Sequence, residues 1–138
     1  MKRVMTIMVV MLMGLPVYGA QAPSKLGSAV YFISPAHGEV VRSPIKVRFG
    51  LTGMGVAPAG VSISETGHHH LLIDLPAPVS LNEPVASDEQ HLHFGYGQTE
   101  TTLDLAPGKH TLQLLLADNN HVPHKPAVVS REIVIYVE

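Results

Sequence analysis

The sequence predicts an all-β protein, an antiparallel β-sandwich of six to seven strands. Three observations support this class. Short apolar runs alternate with polar residues at a period of two, as in Ile45, Val47, Phe49 and Leu51. The chain of 138 residues contains 12 Gly and 11 Pro, and clusters of these residues separate the runs. No stretch after the N-terminal region shows the periodicity of a helix.

The N-terminal region has the pattern of an export signal. Residues 1–3 carry Lys2 and Arg3, and residues 4–15 form an apolar run too short to span a membrane. Small residues follow, so we expect a signal peptide over residues 1–20 with cleavage between 19 and 22; a retained N-terminal anchor is the alternative. The sequence thus predicts a periplasmic or secreted protein without a membrane span after cleavage.

The rest of the chain divides into a short linker and one domain. We expect the linker over residues 21–28 and a single sandwich over 29–138, which is long enough for one modest core. The six expected strands cover residues 29–33, 45–51, 69–75, 99–105, 109–117 and 128–137. A seventh strand within 76–90 stays open.

Several motifs resemble known bacterial domains. The segment 107–112, followed by Ala117 and Asp118, resembles the penultimate strand of bacterial immunoglobulin-like domains. A longer resemblance, over roughly residues 29–138, is to an uncharacterised family of small, secreted, His-rich bacterial domains of unknown function. Its motifs are the segments 68–74, 90–95, 97–99, 107–114 and 121–124. These resemblances imply an immunoglobulin-like sandwich, and they imply no particular activity.

Histidine and cysteine usage points to metal chemistry. The chain has nine histidines and no cysteine, and imidazole is the commonest metal ligand in proteins. The absence of cysteine excludes disulfides, iron–sulfur clusters, thiolate zinc sites and blue-copper centres. Any metal must therefore be held by nitrogen and oxygen ligands.

The expected topology brings most of the histidines to one end of the sandwich. In immunoglobulin-like strand order, three turns lie at the same end of the sandwich. Two of them precede the expected strands 69–75 and 99–105, and the third follows the strand 109–117. The candidate ligands at that end are His68, His70, His91, His93, His121 and His124, and Asp118 is a candidate ligand or outer carboxylate. His37 and His110 fall at the opposite end. We expect His69 to be buried beside Leu71 and Ile73, and His110 to be structural.

These observations predict a metal-binding domain for copper or zinc, without catalysis of its own. Two alternatives remain open: an interaction module whose histidines are structural or sense pH, and a copper-dependent redox enzyme. The expected partners are the metal ion and, less directly indicated, another periplasmic or cell-envelope protein. The formal net charge of −2 and the lack of a basic patch argue against nucleic acid.

Overall fold

Two β-sheets make up residues 20–138, the part of the chain that this computed structural model describes. The strands are β1 (Ala29–Ser34), β2 (Val40–Val41), β3 (Ile45–Thr52), β4 (Gly55–Val56), β5 (Thr66–Ile73), β6 (His91–His93), β7 (Glu100–Leu103), β8 (Gly108–Ala117), β9 (Pro123–Val129) and β10 (Ile133–Val137). Helices are absent from these residues, which confirms the all-β class. The signal peptide expected over residues 1–20 lies, apart from Ala20, outside the described residues.

The two sheets differ in size. The smaller sheet has the order β1-β3-β7, and the larger has the order β2-β10-β8-β5-β4, with β6 paired to β5 and β9 paired to β8. Most pairs are antiparallel, whereas β2 and β4 pair with their neighbours in parallel. Within the described range, no helix has the length and hydrophobicity that a membrane span requires.

The strand expected over residues 128–137 is divided into β9 and β10. Ser130 lies at the break, where its backbone N donates to Leu114 O at 2.8 Å and its Oγ accepts from Leu114 N at 2.9 Å. A side-chain oxygen thus takes the place of a backbone carbonyl, and the regular ladder is interrupted. The short strands β2, β4 and β6 were not expected either. Residues 20–138 therefore contain ten strands, where six or seven were expected.

The main core lies between the sheets. Val47 and Phe49 of β3 face Leu71 of β5, Leu114 of β8 and Ile135 of β10, all nearly or fully buried. Strand residues alternate between the two faces, so His69 and Ile73 share the inward face with Leu71. His68, His70 and Leu72 consequently point away from this core, to the outer face of the larger sheet.

The segment 74–90 covers part of this outer face. It contains no strand, although the sequence left a seventh strand open there. Pro76, Pro78 and Pro84 lack the N–H groups that a ladder needs, which accounts for its irregular path. Its Val85 packs with residues of β5 and β8 in a second, smaller apolar cluster, which comprises Leu72, Val85, Leu115 and Ala117.

The expected linker, residues 21–28, contacts the sandwich at its start. Lys125 N of β9 donates to Ala22 O at 3.0 Å, and Ser24 N donates to Lys125 O at 3.3 Å. The Gln21 side chain donates to Leu81 O at 2.5 Å and to Pro123 O at 2.9 Å. Gln21 therefore joins the covering segment 74–90 to the start of β9.

Candidate metal centre

Four histidines meet on the outer face of the larger sheet. His68 and His70 are alternate residues of β5, and neither has any exposed surface. The antiparallel register places His93 of β6 opposite His70, so both side chains lie on the same face. His121 comes from the turn between β8 and β9, and His68 pairs with Ala117 near the end of β8. We call His68, His70, His93 and His121 the histidine cluster.

The four rings of the histidine cluster are neighbours in space. All six pairs of ring centroids are close: 4.9 Å for His68–His70, 5.0 Å for His68–His93, 5.1 Å for His68–His121, 5.1 Å for His70–His93, 6.2 Å for His70–His121 and 4.7 Å for His93–His121. The planes of His68 and His121 meet edge to face, at 78°. The four rings are therefore not a stack.

These spacings match those of a tetrahedral site. With metal–nitrogen bonds of about 2.0–2.1 Å, an ion lies about 3.2 Å from each imidazole centroid, and the centroids lie about 5.2 Å apart. A square-planar site would instead give four spacings of about 4.5 Å and two of about 6.4 Å. Five of the observed spacings are within 4.7–5.1 Å and only one, at 6.2 Å, is longer, which favours the tetrahedral arrangement.

The ring nitrogens are the candidate ligand atoms. Nitrogens of His68, His70 and His93 all lie within 4.8 Å of one another. The Nε2 atoms of His68 and His70 are 3.1 Å apart, close to the edge of about 3.3 Å expected between nitrogens of a tetrahedral site. Within residues 20–138, Nδ1 of His68, Nδ1 of His70 and Nε2 of His93 are buried without a hydrogen-bond partner.

Burial lowers the pKa of His68, His70 and His93, which favours their neutral forms. Desolvation, followed by repulsion from His93 and His121, lowers the pKa of His68 to about 4. Desolvation and the same neighbours, together with His68, lower the pKa of His70 to about 3. The pKa of His93 is lowered by desolvation first and by His121 second. Neutral imidazole is the form that binds metals, so these rings present lone pairs rather than protons near pH 7.

Asp118 holds the turn that carries His121. Its Oδ1 accepts from Asn120 N at 2.8 Å and from Val122 N at 3.0 Å, and its backbone O accepts from His121 N at 3.0 Å. His121 has a left-handed backbone with φ of 66°, which this network fixes. The Asp118 charge also opposes the lowering of the pKa of His68. Asp118 therefore acts as a positioning carboxylate.

Gly95 leaves room for the ring of His93. A Cβ at this position would clash with Cε1 of His93 and lie 2.7 Å from its Nε2, closer than nonbonded atoms approach. Gly95 was not among the predicted site residues. In the sequence, Gly95 stands two residues after the candidate ligand His93. Glycine is common at the turns of this chain, so this spacing alone does not identify Gly95 as a site residue.

Two further candidate ligands lie outside the cluster. His91 shares the face of His93, but its Nδ1 is 2.7 Å from Asp88 Oδ1. His124 is buried, and its nitrogens face Thr66 O at 3.1 Å and Leu116 O at 3.4 Å. The structure thus joins four of the seven predicted site residues, whereas His91, His124 and Asp118 have other partners.

The remaining histidines have separate surroundings. His69 faces the main core, where its ring centroid lies 5.2 Å from that of Phe49, and desolvation lowers its pKa to about 4. His110 contacts Asp74 Oδ2 at 2.6 Å and Ala106 O at 2.8 Å, as expected for a structural residue at this corner. His37 accepts a hydrogen bond from Val134 N at 3.1 Å. His37 and His110 thus contact residues remote from the histidine cluster.

Comparison with known proteins gives one match. The sequence model described as "Domain of unknown function (DUF4399)" matches residues 47–138, which include every member of the histidine cluster. No match was found among curated proteins or among solved structures.

Proposed function

Because the chain belongs to the family described as DUF4399, whose description names no activity, we propose a function from the geometry of the histidine cluster alone: the domain binds one divalent transition-metal ion. The proposed ligands are His68, His70, His93 and His121. We propose Zn(II) or Cu(II), since all-imidazole ligation suits both ions.

The observation that carries this proposal is that ring nitrogens of His68, His70 and His93 lie within 4.8 Å of one another, with the ring of His121 beside them. Burying a polar group without a hydrogen bond costs about 1–3 kcal/mol, and such groups are rare in native proteins. Three members of the cluster have such nitrogens among the described residues. A metal ion held by Nε2 of His68, His70 and His93 would give the unpartnered Nε2 of His93 a partner.

The spacings favour zinc over copper(II). Zn(II) has no geometric preference from its d-electrons and accepts tetrahedral sites readily, whereas Cu(II) prefers square-planar or tetragonal ligation. One long spacing, at 6.2 Å between His70 and His121, is fewer than the two that a square plane requires. We therefore propose zinc as the preferred ion, and copper as its competitor by the Irving–Williams order.

A closed site supports binding or carriage of the ion rather than catalysis. Catalytic zinc sites keep one position open, whereas four protein ligands fill a tetrahedron. His68 and His70 have no exposed surface, so substrate has no direct approach from their side. The basic and apolar N-terminal pattern supports a periplasmic or secreted location, where a metal-carrying domain would exchange the ion with a cell-envelope partner.

Native mass spectrometry of the full chain after zinc loading tests the proposal. We expect one ion per chain, removed by a strong chelator, with X-ray absorption showing four nitrogen ligands near 2.0 Å, the distance of about 2.0–2.1 Å typical of imidazole. A protein that takes up neither zinc nor copper stoichiometrically would leave the histidines with a structural or pH-sensing role. Oxygen ligands in place of nitrogen would also contradict the proposed set.

A further inference from the structure

His91 and Asp88 form a pair beside the histidine cluster. His91 Nδ1 lies 2.7 Å from Asp88 Oδ1, which also accepts from the backbone N of His91 and of Gln90 at 2.9 Å each. The side chain of His91 is 18% exposed. The carboxylate oxygen can only accept, so Nδ1 carries the hydrogen, and in the neutral ring Nε2 then has the lone pair.

This pair resembles a metal-binding histidine whose second ring nitrogen is held by a carboxylate. Metal-binding histidines usually donate their second ring N–H to a carboxylate or a carbonyl. His91 meets that description through Asp88, and its Nε2 has no hydrogen-bond partner among residues 20–138. His110 also contacts a carboxylate, that of Asp74, but its Nε2 is occupied by Ala106 O. Of these two pairs, only His91 has a free nitrogen to offer.

His91 lies next to the cluster on β6 and is partly exposed to solvent. His91 and His93 are alternate residues of β6, so their side chains share a face with Cα atoms about 7 Å apart. His91 also lines a surface cavity of about 390 Å³ beneath the covering segment, together with Leu75, Val79 and Val85. His68 and His70, by contrast, have no exposed surface.

We propose that His91 is the entry ligand of the site: it captures a divalent ion through Nε2 and passes it to His93 and then to the other members of the histidine cluster. This inference rests on the proposed function. In the transfer, the bond from the ion to His91 breaks as bonds to the cluster form, and water leaves the ion stepwise. Of the Nε2 atoms of His68 and His70, the one that carries the hydrogen in the metal-free state loses it, and Nδ1 of the same ring becomes the protonated nitrogen, before that Nε2 can bind the ion. Because His91 is no ligand in the final complex, it affects the rates of loading and release and leaves the affinity unchanged.

Zinc exchange kinetics test this inference. The full chain is loaded from a chromophoric zinc chelator, release is followed after excess chelator is added, and the dissociation constant is measured by competition. His91→Leu replaces the imidazole with an apolar side chain of similar size that has no nitrogen. We expect it to slow loading and release together by tenfold or more, with the dissociation constant within threefold of wild type. His37→Leu, far from the cluster, is the matched control with wild-type rates.

The outcomes separate this inference from the proposed function. A wild-type chain that binds no zinc overturns both. Wild-type binding with unchanged or faster exchange in His91→Leu overturns the entry role alone. An affinity loss above tenfold makes His91 a permanent ligand, which also overturns it. If His91→Leu does not fold, Asp88→Asn replaces it: the ring remains without its carboxylate, exchange should slow by at least threefold, and wild-type rates would again refute the inference.

Discussion

The Nε2 atoms of His68 and His70 lie 3.1 Å apart, on two side chains that are fully buried. Without an ion, one Nε2 must carry a hydrogen and donate it in a hydrogen bond to the other Nε2, because two lone pairs at this distance repel each other. With an ion, both lone pairs can point to it at nearly the same separation. The alternation of β5 sets this geometry, so little reorganisation is needed to pass from one state to the other.

Replacing His121 with alanine should weaken zinc binding much more than replacing His124. His121 is a member of the cluster, whereas His124 contacts Thr66 O and Leu116 O. We expect His121→Ala to raise the zinc dissociation constant at least 100-fold, about 2.7 kcal/mol, because one of four ligands is lost. Competition with a chelator of known affinity measures both variants.

His124→Ala is the matched control three residues away. It should leave the zinc dissociation constant within threefold and lower the free energy of unfolding by about 1–3 kcal/mol, because it removes buried hydrogen bonds and packing. Equal losses of zinc affinity in the two variants would show that His121 is no more a ligand than His124.

Gly95→Ala should displace the ring of His93. The new Cβ would clash with Cε1 of His93 and lie 2.7 Å from its Nε2, so the ring must leave its present position. A shift of this size typically costs a metal site tenfold or more in affinity, about 1.4 kcal/mol. Gly55→Ala is the control, because its Cβ would meet Thr66 at an ordinary 3.4 Å. Wild-type zinc affinity in Gly95→Ala, measured by the same competition assay, would remove His93 from the ligand set.

The sequence was sufficient to predict the fold class and most of the cluster. Alternation in β3 and β8 defined half-buried strands, and the spacing of His68 and His70 defined a shared face. Both signals are local, since they depend on the period of a single strand. They do not depend on how the strand pairs with its neighbours.

The separation of His91 from His93 and of His121 from His124 could not be predicted from spacing. His91 and His93 share a face of β6, yet Asp88 holds the ring of His91. His121 is directed by the left-handed turn that Asp118 closes. Both outcomes depend on hydrogen bonds formed by irregular segments, for which the sequence offers no periodic signal.

The metal-free protein should lose stability as the pH falls below 6.5. The pKa values of His68 and His69 are lowered to about 4 and that of His70 to about 3, mainly by burial. Between pH 6.5 and about 4 the unfolded chain therefore binds protons that the folded chain does not, and unfolding becomes easier. Each histidine contributes up to about 1.4 kcal/mol per pH unit in that window.

Denaturant unfolding followed by circular dichroism, at pH 7 and pH 5, measures this loss. The double variant His68→Leu, His70→Leu should show a smaller loss between the two pH values, because two of the titrating groups are gone. An identical pH dependence in wild type and variant would show that these imidazoles are accessible to protons in the folded state.

His69→Leu should stabilise the domain without affecting zinc. His69 is fully buried against Phe49, and both of its ring nitrogens lack hydrogen-bond partners within residues 20–138. Leucine removes these unsatisfied groups from the core, so we expect the free energy of unfolding at pH 7 to rise by about 1–2 kcal/mol. Zinc affinity should stay within threefold, because position 69 faces away from the cluster. A destabilised variant would indicate that His69 has a polar partner.

His110→Ala should destabilise the domain, and the loss should be larger at low pH than at high pH. The contribution of His110 to stability thus has a pH dependence opposite to that of His68, His69 and His70. The bond to Asp74, and secondarily the bond to Ala106 O, raise the pKa of His110 above its usual value. The folded state then favours the protonated ring: the extra stability is fully present below pH 6.5 and is lost as the pH rises through the raised pKa. We expect a loss of about 1–3 kcal/mol on substitution, larger at pH 6 than at pH 9. Zinc affinity at pH 7 should stay at the wild-type value, since His110 is remote from the cluster. A variant of normal stability that had lost zinc would contradict both the structural role of His110 and the assignment of the ligands.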